Sequence, residues 1–224
     1  MSSKYMLLKQ NSIQQNILDD YIFDLEWSPN GNYLAAITSS GQVGLANMKG
    51  DVFWIELGRH KQGVNSMKWH PRESLLATGG QDGKLTVWDT TSKSAAWSQE
   101  IGGWIDCLSW SSTFHFLASS CGKSLSIWSV SGKHEQIWTD HESTISDIEW
   151  SPDGCFIAAT AKGGITIRGY GSLDSTQQLQ WHGCPIKIPA EKLIMYSNLL
   201  GAQDLKVVRH PPNIVTNTVK PNNG

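Results

Sequence analysis

Ile22-Phe23-Asp24-Leu25-Glu26-Trp27-Ser28-Pro29-Asn30-Gly31 decides the fold, because the chain repeats its pattern four times. It returns as Val64-Asn65-Ser66-Met67-Lys68-Trp69-His70-Pro71 and as Ile105-Asp106-Cys107-Leu108-Ser109-Trp110-Ser111. The fourth copy is Ile145-Ser146-Asp147-Ile148-Glu149-Trp150-Ser151-Pro152-Asp153-Gly154. The shared tryptophans step by 42, 41 and 40 residues (27 to 69, 69 to 110, 110 to 150). A fixed period near 40 marks supersecondary units, each burying its apolar face against the next. Arrays of this kind seldom do chemistry; they present surfaces.

Working outward from the second copy, Val64 to Trp69 is apolar at its first, fourth and sixth positions. That break in period two predicts a strand with a bulge near its start. His70-Pro71-Arg72-Glu73 turns the chain, and Ser74-Leu75-Leu76-Ala77-Thr78 reads as a strand of small residues. Gly79-Gly80-Gln81-Asp82-Gly83 is a tight turn and Leu85-Thr86-Val87-Trp88 alternates as a half-buried strand. A weaker outer strand follows near Ala95 to Glu100. Four short antiparallel strands repeated radially describe the blade of a β-propeller.

Gly79-Gly80-Gln81-Asp82-Gly83-Lys84-Leu85-Thr86-Val87-Trp88-Asp89, ending in Trp-Asp, resembles the signature of the WD-repeat propellers, and the resemblance runs over about residues 4–210. It implies a hydrogen-bonded set within one blade, built from a His before the inner strand, a Ser or Thr, a turn Asp and a Trp. His60, Thr78, Asp82 and Trp88 match all four positions, although Arg59 stands where Gly is usual. A His/Asp/Thr trio invites a catalytic reading. The structural reading is favoured, since a buried Asp turn needs its lone pairs filled and His and Thr supply donors.

The other copies are eroded. Leu18 occupies the His position of blade one, and Gly44-Leu45-Ala46 replaces its Trp strand. Blade three keeps Trp128 but has Ile101 for the His and Gly122 for the Asp; blade four keeps His141 and has Lys162-Gly163-Gly164 at the turn. A fifth unit is suggested by His182 and Asp204, whose 22-residue interval equals that of His60 and Asp82, but Ile188-Pro189-Ala190-Glu191 damages its inner strand. The expectation is an all-β propeller of four-stranded blades with about five recognisable repeats, incomplete or shortened relative to a seven-bladed ring. Its blades span 18–58, 59–100, 101–140, 141–181 and 182–210, with 4–9 as a closing outer strand and 211–224 as a polar tail. Blades shaped for a larger ring would leave two apolar faces open, which invites self-association.

A net charge of −2 and a pI near 6.4 give no electrostatic footprint for nucleic acid. No run approaches the roughly 18 apolar residues of a membrane helix. The four cysteines (Cys107, Cys121, Cys155, Cys184) form no C-x-x-C pair. They fit free thiols in a reducing compartment, so the chain reads as soluble and cytoplasmic. No cofactor is expected, and the seven histidines show no metal-ligand clustering with cysteine.

Asp24 and Glu26, and again Asp147 and Glu149, stand two apart on a strand, about 6.5–7 Å on one face. That separation suits paired carboxylates in glycoside hydrolysis. Their recurrence at one repeat position argues for a shared structural origin instead, so a propeller enzyme carries little weight and no catalytic residue is assigned. The reading is a non-enzymatic scaffold for protein–protein interaction, with a truncated paralogue lacking independent function as the alternative. The His-bearing connection and the Asp turn meet on one face of the disc. The residues free for a partner there are Asp20, Tyr21, Ser39, Ser40, Gln62, Gln81, Trp104, Lys123, Glu142 and Lys162. Trp104 stands out as an aromatic in a connection, after Gly102 and Gly103. Trp54, Trp97, Trp138 and Trp181, on or near outer strands, read as rim packing.

Overall fold

A computed structural model of the chain describes residues 20–49, 54–113, 115–162 and 164–170, together with the strand backbones at Thr176–Gln180, Val207–His210 and Ile214–Asn217. Blade one comprises β1 (Ile22–Trp27), β2 (Tyr33–Thr38), β3 (Gln42–Asn47) and β4 (Trp54–Arg59). Blade two comprises β5 (Val64–Trp69), β6 (Leu75–Gly80), β7 (Lys84–Asp89) and β8 (Ser94–Glu100). Blade three holds β9 (Ile105–Trp110), β10 (Phe116–Cys121), β11 (Ser124–Ser129) and β12 (His134–Trp138). Blade four holds β13 (Ile145–Trp150), β14 (Phe156–Ala161), β15 (Gly164–Gly169) and β16 (Thr176–Gln180). Within each blade the strands pair antiparallel in chain order, and the described residues contain no helix. This is the architecture the repeat predicts.

The expected bulge sits at the start of the inner strand, between Ile22 and Asp24, Val64 and Ser66, and Ile145 and Asp147; in blade three the register shifts where Ser120 and Cys121 face Cys107 and Ile105. It allows the first, fourth and sixth residues of the strand to point the same way. They point at the preceding blade. Val64, Met67 and Trp69 join Ala35, Ile37, Val43, Leu45 and Leu57 of blade one in a single core cluster. Ile105, Leu108 and Trp110 do the same with Ala77, Leu85 and Val87, and Ile145, Ile148 and Trp150 with Leu125 and Ile127. The core therefore lies between blades rather than inside any one of them. Each blade has a back face, carried by its inner strand, and a front face, carried by its third strand.

Hydrogen bonds register these faces. The Trp69 indole donates to the Glu26 carbonyl at 3.0 Å, and the Trp110 indole to the Lys68 carbonyl at 3.1 Å. The Trp69 amide also donates to the Glu26 carboxylate at 3.1 Å. Farther out, Trp88 lies against Gly58, where an added Cβ would sit 2.5 Å from the ring, so only glycine admits the indole.

Blade one differs from the rest at its back face. Ile22, Leu25 and Trp27 are 49%, 51% and 54% exposed, whereas their counterparts Val64, Met67 and Trp69 are 1%, 1% and 7% exposed. Most of the expected fifth unit, residues 182–206, and the expected strand at 4–9 lie outside the described residues, as do Leu18 and Trp181. β17 (Val207–His210) and β18 (Ile214–Asn217), the latter within the segment read as a polar tail, form an antiparallel hairpin. β18 pairs in parallel with β16, so the pair lengthens blade four at its outer edge. Ile214-Val215-Thr216 supplies the β-branched run that suits a strand.

Candidate interaction face

The connections that enter β5, β9 and β13 and the turns that link second to third strands lie together on one side of the array. Backbone bonds tie them: the His60 amide donates to the Gly41 carbonyl, Ile101 to Gly83 and Ile145 to Gly122, each at 2.8 Å. These bonds cross from one blade's connection to the turn of the blade before it.

Blade two carries the full predicted set. His60 Nδ1 lies 3.0 Å from Asp82 Oδ1, His60 Nε2 lies 2.9 Å from Thr78 Oγ1, and the Trp88 indole donates to Thr78 Oγ1 at 2.8 Å. One chain of donors satisfies every atom: Trp88 N–H to Thr78, Thr78 O–H to His60 Nε2, and His60 Nδ1–H to Asp82. Asp82 accepts further bonds from the Lys61 and Lys84 amides. Burial by itself would raise its pKa, but the His60 and backbone bonds outweigh that and hold it below the ordinary value. The Thr78 hydroxyl is fully buried and already accepts an indole proton, so no substrate reaches it. Here the trio is a structural pin.

Blade four reaches the same end with other residues. Ala159 stands at the Thr78 position and Arg168 at that of Trp88. Arg168 is buried, lies over the Trp138 ring at 5.2 Å, and donates to Asp140 Oδ1. His141, lacking an Asp turn, donates from Nδ1 to the Lys123 carbonyl of blade three at 3.1 Å. Its burial, together with the Arg168 charge, lowers its pKa and keeps it neutral. Trp97 and Trp138, read as rim packing, are partly buried against inter-blade clusters, and the Trp97 indole donates to the Val130 carbonyl.

The candidate binding residues divide into anchored and free. Asp20 accepts from Ser39 Oγ at 2.9 Å and from the Ser40 amide at 3.0 Å; the Ser40 hydroxyl, then that of Thr38, then these two bonds drive its pKa far below the ordinary range. It closes the blade-one turn, as Ser143 closes that of blade four by accepting from the Lys162 amide. Gln81 is partly buried and donates to Asn65. Tyr21, Gln62, Trp104, Lys123, Glu142 and Lys162 are exposed on the same side. Trp104 is 58% exposed, while Ile105 beside it is fully buried. Gly102, at φ +86°, takes the left-handed turn that lifts the indole out of the blade.

Other polar groups have structural work. Glu26, Lys68, Ser109 and Glu149 occupy one inner-strand position in the four blades. Lys68 Nζ lies 3.8 Å from Glu26, and burial raises the pKa of both Glu26 and Glu149. The Asp24 carboxylate accepts the Leu25 amide and that of Asp147 the Ile148 amide, local turns within the bulge. His70, Glu73 and His115 cluster, but His70 Nδ1 accepts the Arg72 and Glu73 amides. That places the proton on Nε2 and leaves His70 no lone pair for a cation. On the opposite side, a cavity of about 80 Å³ between blades one and two is far below the roughly 300–1,000 Å³ of small-molecule sites.

Radially arranged four-stranded blades, pinned by a His–Thr–Trp–Asp set at the turn, define a WD-type propeller. Comparison agrees: the profile "Anaphase-promoting complex subunit 4 WD40 domain" matches residues 25–113, and "WD domain, G-beta repeat" matches residues 132–176. The chain is 28% identical to Protein transport protein SEC31 of Eremothecium gossypii, over 62% of this chain and 13% of that protein. It is 30% identical to Cell division cycle 20.4, cofactor of APC complex, of Arabidopsis thaliana, over 66% of this chain and 38% of the relative. It is also 30% identical to Histone-binding protein MSI1 of Saccharomyces cerevisiae, over 57% and 32%. This chain belongs to the WD-repeat family. It spans well under half the length of these relatives.

Proposed function

We propose that the chain is a scaffold that binds a protein partner through the face bearing Trp104. The carrying observation is the position of that indole, exposed in a connection while the repeat tryptophans Trp69, Trp88, Trp110, Trp128 and Trp150 are buried and the exposed Trp27 lies on the blade-one strand β1. A solvent-facing tryptophan rimmed by polar side chains matches the anatomy of an interface anchor, and Gln62, Lys123, Glu142 and Lys162 supply such a rim. The relatives support the class of function: one is described as a cofactor of a complex and another as histone-binding. WD-repeat proteins are typically non-enzymatic interaction proteins, in keeping with the inaccessible Thr78 hydroxyl. The scattered cysteines, with no C-x-x-C pair among them, fit a reducing compartment and favour the cytoplasm. The competing reading, a shortened paralogue without independent function, draws on the open back face of blade one.

The test is partner capture with tagged wild type and Trp104→Ala, each partner being identified by mass spectrometry and its affinity measured. Trp104→Ala should weaken binding by at least about 2 kcal/mol, the hot-spot threshold, with an unchanged melting temperature. Unaltered affinity, or destabilisation of the size expected for a core substitution, sinks the proposed face. Failure to capture any partner favours the shortened paralogue.

A further inference from the structure

We propose that two copies of this chain associate head to tail, the back face of blade one in each seating on the front face of blade four in the other. Blade one presents Ile22, Leu25 and Trp27, the residue pattern that blades two, three and four bury against a preceding blade. Among the described residues nothing covers it. Large apolar side chains exposed side by side mark an interaction surface.

The three inter-blade interfaces within the chain show what covers such a face. Each occupant is the third strand of a blade, with aliphatic side chains at two alternate positions: Val43 and Leu45, Leu85 and Val87, Leu125 and Ile127, all fully buried. Blade four carries the same pair as Ile165 and Ile167, and there both remain partly exposed. β17 and β18 extend that blade beyond β16, at its outer edge. The chain thus offers both halves of a contact that it already makes three times.

The polar register matches as well. Where blade two meets blade one, Trp69 donates its indole to the Glu26 carbonyl and its amide to the Glu26 carboxylate. Blade four has Glu149 at the Glu26 position, and blade one has Trp27 at the Trp69 position. Seating one on the other repeats the same Glu–Trp pair, with the Trp27 indole donating to the Glu149 carbonyl. Two such contacts related by a twofold axis satisfy both open faces at once, since a head-to-tail contact either closes into a ring or grows without limit. Counting the four described blades of each copy, the ring has eight, at the top of the 4-to-8 range such folds adopt.

Analytical ultracentrifugation of the full chain, over a range of concentrations, tests this. The wild type should reach a limiting mass twice its 24.8 kDa. Leu25→Glu and Ile167→Glu should each sediment as single chains at concentrations where the wild type is dimeric, with unchanged circular dichroism. Mixed together, they should form a one-to-one pair, because each retains the face the other has lost. A wild type that stays single, one that grows into an open series, or a dimer lost in Leu25→Glu but kept in Ile167→Glu overturns the proposal. A photo-cross-linking benzophenone at exposed Phe23 does not depend on the Ile167 variant folding. It should capture residues of β14 or β15 from a second copy; capture of β1 instead also overturns it. Neither readout touches Trp104, so partner binding succeeds or fails separately.

Discussion

Blade two and blade four hold the same backbone with different polar cores. In blade two a hydrogen-bonded relay runs from the Trp88 indole through Thr78 and His60 to the Asp82 carboxylate. In blade four the Thr is Ala159, the Trp is Arg168, and the His bonds a carbonyl of the preceding blade. What the fold favours is that most groups buried between strands find partners. It does not demand the particular residues. The two solutions are unequal: the blade-two relay is enclosed and complete, whereas in blade four His141 Nε2 is buried without a hydrogen-bond partner and the Asp140 partner of Arg168 is 48% exposed. Mutations that strip each solution should therefore separate the blades.

The largest effect belongs to Thr78→Val. It keeps the shape but strands the Trp88 indole and His60 Nε2, two buried groups worth about 1–3 kcal/mol each, so the expected loss is about 2–6 kcal/mol. Blade three gives the graded control, since the Trp128 indole donates to Ser119 Oγ at 2.9 Å and Ile101 replaces the His. Ser119→Ala strands one group and should cost about 1–2 kcal/mol by urea denaturation. Equal losses at the two positions would break the distinction between a relay and a single bond.

Next in size come the two carboxylates. Asp82→Ala should cost about 1–3 kcal/mol, because it removes the acceptor for His60 and for two backbone amides. Asp140→Ala should cost only about 1 kcal/mol, since water reaches its half-exposed carboxylate and can replace it. Both groups have folded-state pKa values below the ordinary Asp value. Their stabilisation is thus fully present above the unfolded-state pKa and is lost as pH falls through the lowered folded value. In acid each variant should converge on the wild type. A penalty that persists at low pH would assign it to packing instead.

Much of this comparison was legible in the sequence. The period located four blades, the apolar spacing of Val64, Met67 and Trp69 predicted the bulge, and the WD resemblance identified His60, Thr78, Asp82 and Trp88 as a bonded set. The blade-four substitute was harder to see, because a lone Arg before Gly169-Tyr170 reads as surface and arginine is rarely buried without a partner. The signal was register: Arg168 falls where Trp88 falls. Exposure of β1 was equally hidden at the level of the residue. Ile22, Leu25 and Trp27 repeat a pattern that elsewhere means burial, and a repeat encodes which way a side chain points, not whether a neighbour is there to receive it. The Asp20 turn closure shows the opposite error. An acidic residue in a connection looks available until Ser39 and Ser40 are seen to donate to it.

The smallest expected effect tests the inner-strand carboxylate of blade four, and its sign is opposite to that of the others. Burial raises the pKa of Glu149, and the nearby Asp147 adds to the rise while Lys68 opposes it. A raised folded-state value means that the stabilisation is complete below the unfolded-state pKa and drains away as pH rises through the folded one. Above that window the folded protein holds a carboxylate it would rather protonate. Glu149→Gln removes that cost while leaving an oxygen to accept a hydrogen bond. The variant should gain roughly 0.5 kcal/mol at neutral pH, the scale of substitutions away from the main core, and match the wild type in acid. Thermal melts at both pH values measure it directly. A loss at neutral pH would make Glu149 a stabilising partner of Lys68, and would place the polar balance of blade four in the ionised inner strand rather than in Arg168 and Asp140.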